Sequence, residues 1–185
     1  MKRPEFIERS LKSGFELDAD ELLWLAEAIL GNRLEAESCV IEVLSLAVGE
    51  VYVAAASRDL WMKRCVVQAA VRRARTEIRE IARSYPRHGS FTMSALPLNA
   101  ADRQILRSFP AERITEGSNV LECATLILHG YLGFSIHNCA VSMECDRSLI
   151  EPACACALRK LFDHGTDAFR NRQDVEPTSF LGEVA

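Results

Sequence analysis

The sequence predicts an all-α protein of two helical domains joined by a linker. Apolar residues recur at three- and four-residue spacing through almost every long segment, the period of an amphipathic helix. No pair of segments alternates in the manner of paired strands. The long aperiodic stretch YPRHGSFTMSALPLNA, at 85–100, holds two prolines, a glycine and small polar residues, which is linker composition. A chain of 185 residues is long enough for one large domain or two small ones. The expected division is a helical domain over 1–84, the linker over 85–100, a second helical domain over 101–162 and a tail over 163–185. The tail carries Pro177 and mixed charge and is expected to fray.

The first helix is expected over 21–30, where Leu22, Leu25, Ala26, Ile29 and Leu30 form one face. Asp18 or Asp20 can cap its start, and Gly31-Asn32 suits its stop. A second helix over 33–47 repeats the pattern with Ala36, Cys39, Val40, Val43, Leu44 and Ala47. From Val48 to Ser57 the sequence fits either a continued helix or a connector. A third helix over 58–84 buries Trp61, Cys65, Val66, Ala69 and Ala70 and projects arginines. It ends at Tyr85-Pro86, because a residue before proline is pushed out of helical angles. Shorter helices follow over 101–109, 111–130, 135–143 and 147–162.

The last two of these have helix-turn-helix spacing. Gly133 breaks the preceding helix, Ser135 is placed to cap the next, Ala140 allows a close crossing and Glu144-Cys145-Asp146 makes the turn. In CDRSLIEPACACALRKLF, residues 145–162, Leu149, Ile150, Ala153, Cys154, Ala157, Leu158, Leu161 and Phe162 form the packing stripe. Ser148 and Glu151 have the spacing of a capping box. Pro152 then falls in the first turn, where a missing N–H costs little.

Hydrophobic residues at 49% with charged residues at 26% are ordinary for a soluble globular protein. No apolar run approaches the roughly 20 residues that span a bilayer, so no membrane partner is expected. The start, MKRPEFIERSLKSGF, lacks the apolar core of a signal peptide; a cytoplasmic location is the expectation. Seven cysteines, an odd number, argue against a disulfide framework. Most lie on apolar helix phases as small hydrophobes. A zinc site from Cys139, Cys145, His129 and His137 is conceivable, but no close Cys-x-x-Cys pair anchors it, and neither metal nor cofactor is expected.

The net charge of −4 conceals an asymmetry. Residues 1–57 are acidic, whereas 58–87 carry Arg58, Lys63, Arg64, Arg72, Arg73, Arg75, Arg79, Arg83 and Arg87 against Asp59, Glu77 and Glu80. This is either a polyanion-binding face beside a protein-binding face or a solvated, internally paired helix surface.

These segments resemble the extracytoplasmic-function sigma factors of bacterial RNA polymerase. Residues 132–158, with Leu132, Gly133, Phe134, Ser135, Ala140, Ile150, Ala157 and Leu158, resemble the family's −35-binding domain. Leu30 to Leu44, LGNRLEAESCVIEVL, resembles its polymerase-docking helix, and Leu60-Trp61-Met62-Lys63-Arg64 with the arginine run resembles its −10-reading helix. The resemblance spans about 20–162 in the family's order. It implies that Glu35, Glu37 and Glu42 dock the β′ clamp of core polymerase. It implies further that Arg72, Arg73, Arg75 and Arg79 contact promoter DNA, with Arg147, Ser148, Arg159 and Lys160 as the remaining DNA-facing candidates. An anti-sigma protein would be a further partner. Trp61, on the apolar phase, reads as a core anchor.

The chain departs from the family at Ser38 and Ile41, where aspartate and glutamine are usual, and at Glu151, Pro152 and Ala153, where basic or polar side chains face DNA. A carboxylate at that end suits the helix dipole and repels phosphate. Two readings stay open: an initiation factor that binds polymerase and promoter, and a sigma-like protein-interaction module with weak or no promoter reading. Enzymatic activity is not expected, since there is no glycine-rich phosphate loop and no recognisable nucleophile constellation. The arginines of 72–79 turned inward, or a sheet in the first hundred residues, would overturn the sigma reading.

Overall fold

The computed structural model describes residues 18–47, 55–86 and 98–163. Every regular element among them is helical. Helix α1 (Ala19–Leu30) starts at Asp18, whose carboxylate accepts the Glu21 amide. It stops at Gly31, which adopts φ 63°, a left-handed conformation that favours glycine. Asn32 then caps α2 (Arg33–Ala47), its Oδ1 accepting from the Leu34 and Glu35 amides at 3.0 and 3.2 Å. These two caps make the tight α1–α2 turn; Gly31-Asn32 was expected as the stop of α1, and Asn32 also starts α2.

Helix α3 (Ala55–Ser84) starts three residues earlier than expected and, at 1.5 Å per residue, is about 45 Å long. Met62, Val66, Val67, Ala69, Ala70, Val71, Ala74 and Ile78 are buried along it. Trp61 and Cys65, expected to be buried, are only partly buried and pack at the edge of this core. Residues 87–97 of the expected linker, and the 164–185 portion of the expected tail, lie outside the described residues.

The expected helix over 111–130 is three elements, two short α-helices and a π turn. Helix α4 (Ala100–Ser108) leads through Pro110 into the short α5 (Ala111–Thr115). Gly117, at φ 71°, turns the chain, and Asn119 starts α6 (Val120–Thr125) with a full capping box. Its Oδ1 accepts the Glu122 amide at 3.0 Å, and Glu122 accepts the Asn119 amide at 3.0 Å. The signal, Gly117-Ser118-Asn119, was present in the sequence and lay inside an otherwise periodic run. Helix α6 then widens into a π turn, Leu126–Tyr131, in which Leu132 donates to the Ile127 carbonyl at 2.9 Å. Leu126, Ile127 and Leu128 are fully buried there. Each contributes roughly 1.5–3 kcal/mol by the usual scale for burying a large aliphatic side chain. Gly130 lets the turn approach its neighbours, since an added Cβ would lie 3.2 Å from Leu126 Cδ1 and 3.5 Å from Cys154 Sγ.

Gly133, at φ 70°, ends the turn, and Ser135 caps α7 (Ile136–Met143) by accepting the Asn138 amide at 3.1 Å. A 3-10 turn, Arg147–Leu149, leads into α8 (Ile150–Asp163). The expected Ser148–Glu151 capping box is not formed. Asp146 is the cap: its Oδ1 accepts from the Ser148 amide and hydroxyl, each at 2.9 Å. A carboxylate one residue before the 3-10 turn outcompetes the serine, which becomes the donor.

Helix α1 lies at the centre, packed against α2 and α3 on one side and against α5, α6 and the π turn on the other. Buried residues from 22–78 and from 98–161 accordingly form one continuous apolar cluster. Polar bonds follow the same seam. Trp24 Nε1 donates to the Phe109 carbonyl at 2.8 Å, with its ring 5.3 Å from that of Tyr131. Glu21, 4% exposed, accepts from Tyr131 Oη at 2.7 Å and pairs with Arg107 and Lys63 at 2.9 Å each.

Candidate nucleic-acid and polymerase interfaces

The acidic candidates lie on α2. Glu35 and Glu42 are exposed and Glu37 is partly exposed. Glu37 pairs with Arg33 at 3.3 Å. Helical spacing places Leu34, Ser38, Ile41 and Ser45 along one stripe. The apolar members face solvent: Leu34 is 71% exposed and Ile41 42%, with Leu46 at 67% on the flank. The buried face, Ala36, Cys39, Val40 and Val43, packs on α1 and α3. The helix therefore has two apolar faces, one in the core and one outside, edged by carboxylates. Sequence reasoning found the acidic residues and missed Leu34 and Leu46 as exposed apolar groups. The signal was that α2 has apolar residues in more phases than one buried face can absorb.

The basic candidates project from α3, and most already have anionic partners. Arg72 is exposed. Arg73 pairs with Glu42 at 2.6 Å and donates to the Glu35 carbonyl at 3.3 Å, so it joins the two expected interfaces. The hydrogen bond to Glu42 is the main cause of its raised pKa, against burial. Arg75 Nη1 pairs with Glu144 Oε1 at 2.7 Å, and Arg79 pairs with the other oxygen of the same carboxylate. Arg75 Nε is buried without a hydrogen-bond partner. Arg64 lies over the Phe134 ring, 5.3 Å from its centroid. These contacts hold α3 against α7 and turn Arg75 and Arg79 toward the second half of the chain, against the expected outward row. Both side chains stay part-exposed rather than entering the core, and Arg72 and Arg73 face outward. Sequence reasoning did not single out Glu144 in this role.

The helix-turn-helix candidates are dispersed. Arg147 and Ser148 are exposed at the start of the last helical segment, beside exposed Glu151. Pro152 is the third residue of α8, where its missing N–H breaks no intrahelical bond. Arg159 is exposed on the far portion and contacts Cys156 Sγ at 3.8 Å. Lys160 reaches inward to Glu122 at 2.6 Å. Glu122, 2% exposed, also accepts from Tyr85 at 2.9 Å. Burial alone would raise the Glu122 pKa, but Lys160, the Asn119 amide and Tyr85 outweigh it and hold the carboxyl below its ordinary value. Lys160 thus serves the interior.

A cleft of about 420 Å³ opens where Leu30 and Arg73 meet Thr115 and Asn119. A second, of about 370 Å³, is lined by Tyr85, Pro152, Cys156 and Arg159. Among the described residues no group of three or more His, Cys, Asp or Glu is placed to hold a metal ion. His129, buried, has Nδ1 2.7 Å from the Phe134 carbonyl, and Cys139 Sγ lies 3.8 Å from the same oxygen. Among the described residues no helix is long and apolar enough to cross a membrane. Neither a family model, nor a curated protein, nor a solved structure matches the chain.

Proposed function

We propose that the chain is a transcription regulator of the extracytoplasmic-function sigma type, docking core RNA polymerase through α2. The observation that carries this reading is the exposed Leu34–Ile41 stripe bordered by Glu35, Glu37 and Glu42. Apolar side chains supply area to bury, and the carboxylates steer a basic partner surface into register. Helix α3, lying against α2, carries the arginines that would follow the phosphates of opening promoter DNA. The order of acidic helix, long basic helix and helix-turn-helix supports the same assignment.

Two observations favour the interaction-module form of this reading over full promoter recognition. The first turn of α8 offers Glu151 and Pro152 where base contacts are made, and Lys160 is engaged with Glu122. A reader helix with a carboxylate at its leading end positions poorly on phosphate.

Reconstitution with bacterial core polymerase tests both. The wild-type chain is expected to be retained on core enzyme, and L34D/I41D to be retained at least tenfold less. Absence of wild-type retention refutes the proposal. Retention with promoter-dependent transcripts selects the initiation factor; retention without transcripts selects the interaction module.

A further inference from the structure

We propose that Glu144 is an internal phosphate mimic: it holds Arg75 and Arg79 of α3 against α7, and a nucleic-acid backbone displaces it. The inference rests on the proposed function for the role of α3, and it adds the regulation of that surface.

Four observations carry it. Both carboxylate oxygens of Glu144 are used, one by each arginine, so a single anion bridges two guanidinium groups as a phosphate would. The two arginines and the glutamate come from opposite halves of the chain, and the contact is part of the packing of α3 on α7. Glu144 occupies a left-handed position, φ 52° and ψ 45°, the only such non-glycine among the described residues. There the Glu144 amide donates to Val141 O at 3.3 Å and the Cys145 amide to Ala140 O at 3.1 Å, a helix stop that glycine makes without strain. The backbone alone does not call for glutamate there. Finally, Arg75 Nε is buried and unpartnered in the closed arrangement, a donor that opening restores to solvent or phosphate.

The pairs are also exchangeable. Side-chain exposure is 35% for Arg75, 49% for Arg79 and 36% for Glu144. At that exposure an ion pair is screened and weak, so a polyanion at modest excess competes with it. Closed, the chain presents Arg72, with Arg73 turned to Glu42 on α2; open, it adds Arg75 and Arg79, which follow Arg72 at helical spacing on one face.

The experiment measures binding of the full chain to a fluorescent 20-nucleotide single-stranded DNA across a salt series, without polymerase. E144Q removes the charge and keeps the shape, and E144G also relieves the turn, so loss of fold cannot account for both. R75Q/R79Q should flatten the log–log salt slope by about 1.4, two phosphate contacts at about 0.7 each. E144Q, whose DNA-bound state keeps both contacts, should leave the slope near wild type and act on affinity. Affinity at low salt should rise about tenfold. E112Q, the same charge change at an exposed site on α5, should change affinity less than twofold. Adding R75Q/R79Q to E144Q should abolish the gain.

Equal effects of E144Q and E112Q overturn the latch, as does a gain that survives R75Q/R79Q. Failure of every variant to bind the DNA overturns it as well. Polymerase retention is scored separately: a chain that fails on core enzyme yet shows the E144Q gain keeps the latch and loses the sigma reading. One that is retained but shows no gain keeps the reading and loses the latch.

Discussion

Glu21 is the place where a single substitution should report on the whole molecule. Its carboxylate is 4% exposed and serves three partners from three elements: Lys63 on α3, Arg107 on α4 and Tyr131 in the π turn. Removing one member of a buried ion pair typically costs about 3–5 kcal/mol, because the partner charge is left without compensation. Here the cations keep second carboxylates, Asp59 for Lys63 at 2.7 Å and Asp18 for Arg107. That lowers the expected ion-pair loss toward about 2 kcal/mol. The Tyr131 hydroxyl loses its acceptor as well, worth about 1–3 kcal/mol in a buried site. Glu21→Ala should therefore destabilise by about 3–5 kcal/mol. For a chain of this size that is a fall of about 10 °C in Tm. Glu21→Gln keeps the acceptor for Tyr131 and should cost about 2 kcal/mol. Urea unfolding, followed by far-ultraviolet circular dichroism and by tryptophan fluorescence, measures both. Because Glu21 ties residues on either side of α1, one coincident transition should move as a whole. A loss below about 1 kcal/mol for Glu21→Ala, or two transitions of which only one shifts, would refute the argument that this carboxylate fastens the halves together.

Lys160→Met should cost about 2–3 kcal/mol at neutral pH, because Glu122 stays buried with one charged partner fewer; a urea midpoint unchanged from wild type would oppose this. Glu122 and Asp18 both have folded pKa values below their unfolded ones, Asp18 chiefly through its bond to Arg107. Their contribution is present above pH of about 4.5 and is lost as pH falls through the folded values, so acid titration should show stability declining below that point. At the other end, burial raises Cys123, Cys139 and Cys154 to about 12 and Cys145 to about 11. Those thiols ionise first in the unfolded chain, so stability should fall as pH rises above about 9, measured by urea midpoints under reducing conditions. A thiol reagent added to the native protein should label Cys65 and Cys156 well before the buried Cys39, Cys123, Cys139 and Cys154, read by mass spectrometry. Glu144→Gly should leave stability within about 1 kcal/mol of wild type, since relief of the left-handed strain offsets two exposed ion pairs, and calorimetry decides it.

Helices were legible in the sequence because burial imposes a 3.6-residue period on the apolar positions, which α1 and α3 follow closely, while α2 overlays it with the exposed Leu34, Ile41 and Leu46. Local chemistry was legible only where one candidate dominates. Ser135 had no rival as a cap, whereas Ser148 competed with Asp146 and lost it to the stronger acceptor. The π turn was hidden because one widened turn leaves the apolar count almost unchanged. The candidate sites divide along a similar line. The charges on α2 and α3 could be read one residue at a time, but their partners could not. Arg75 meets Glu144, and Lys160 meets Glu122, through packing that no local period encodes. The second side of α1 was hidden for a related reason. Its stripe of Leu22, Leu25, Ala26 and Ile29 identifies a buried face and says nothing of how many neighbours share it.

That shared helix constrains how the protein could ever change shape. Separating the two halves would strip α1 of one set of neighbours and wet a greasy surface at the middle of the molecule, with Trp24 giving up its bond to the Phe109 carbonyl. A bare intermediate of that kind would stick to itself before it found a target. Any wide opening therefore has to happen as a handover, in which an incoming surface covers α1 while the old one leaves, and Trp24 emission would track the exchange from inside.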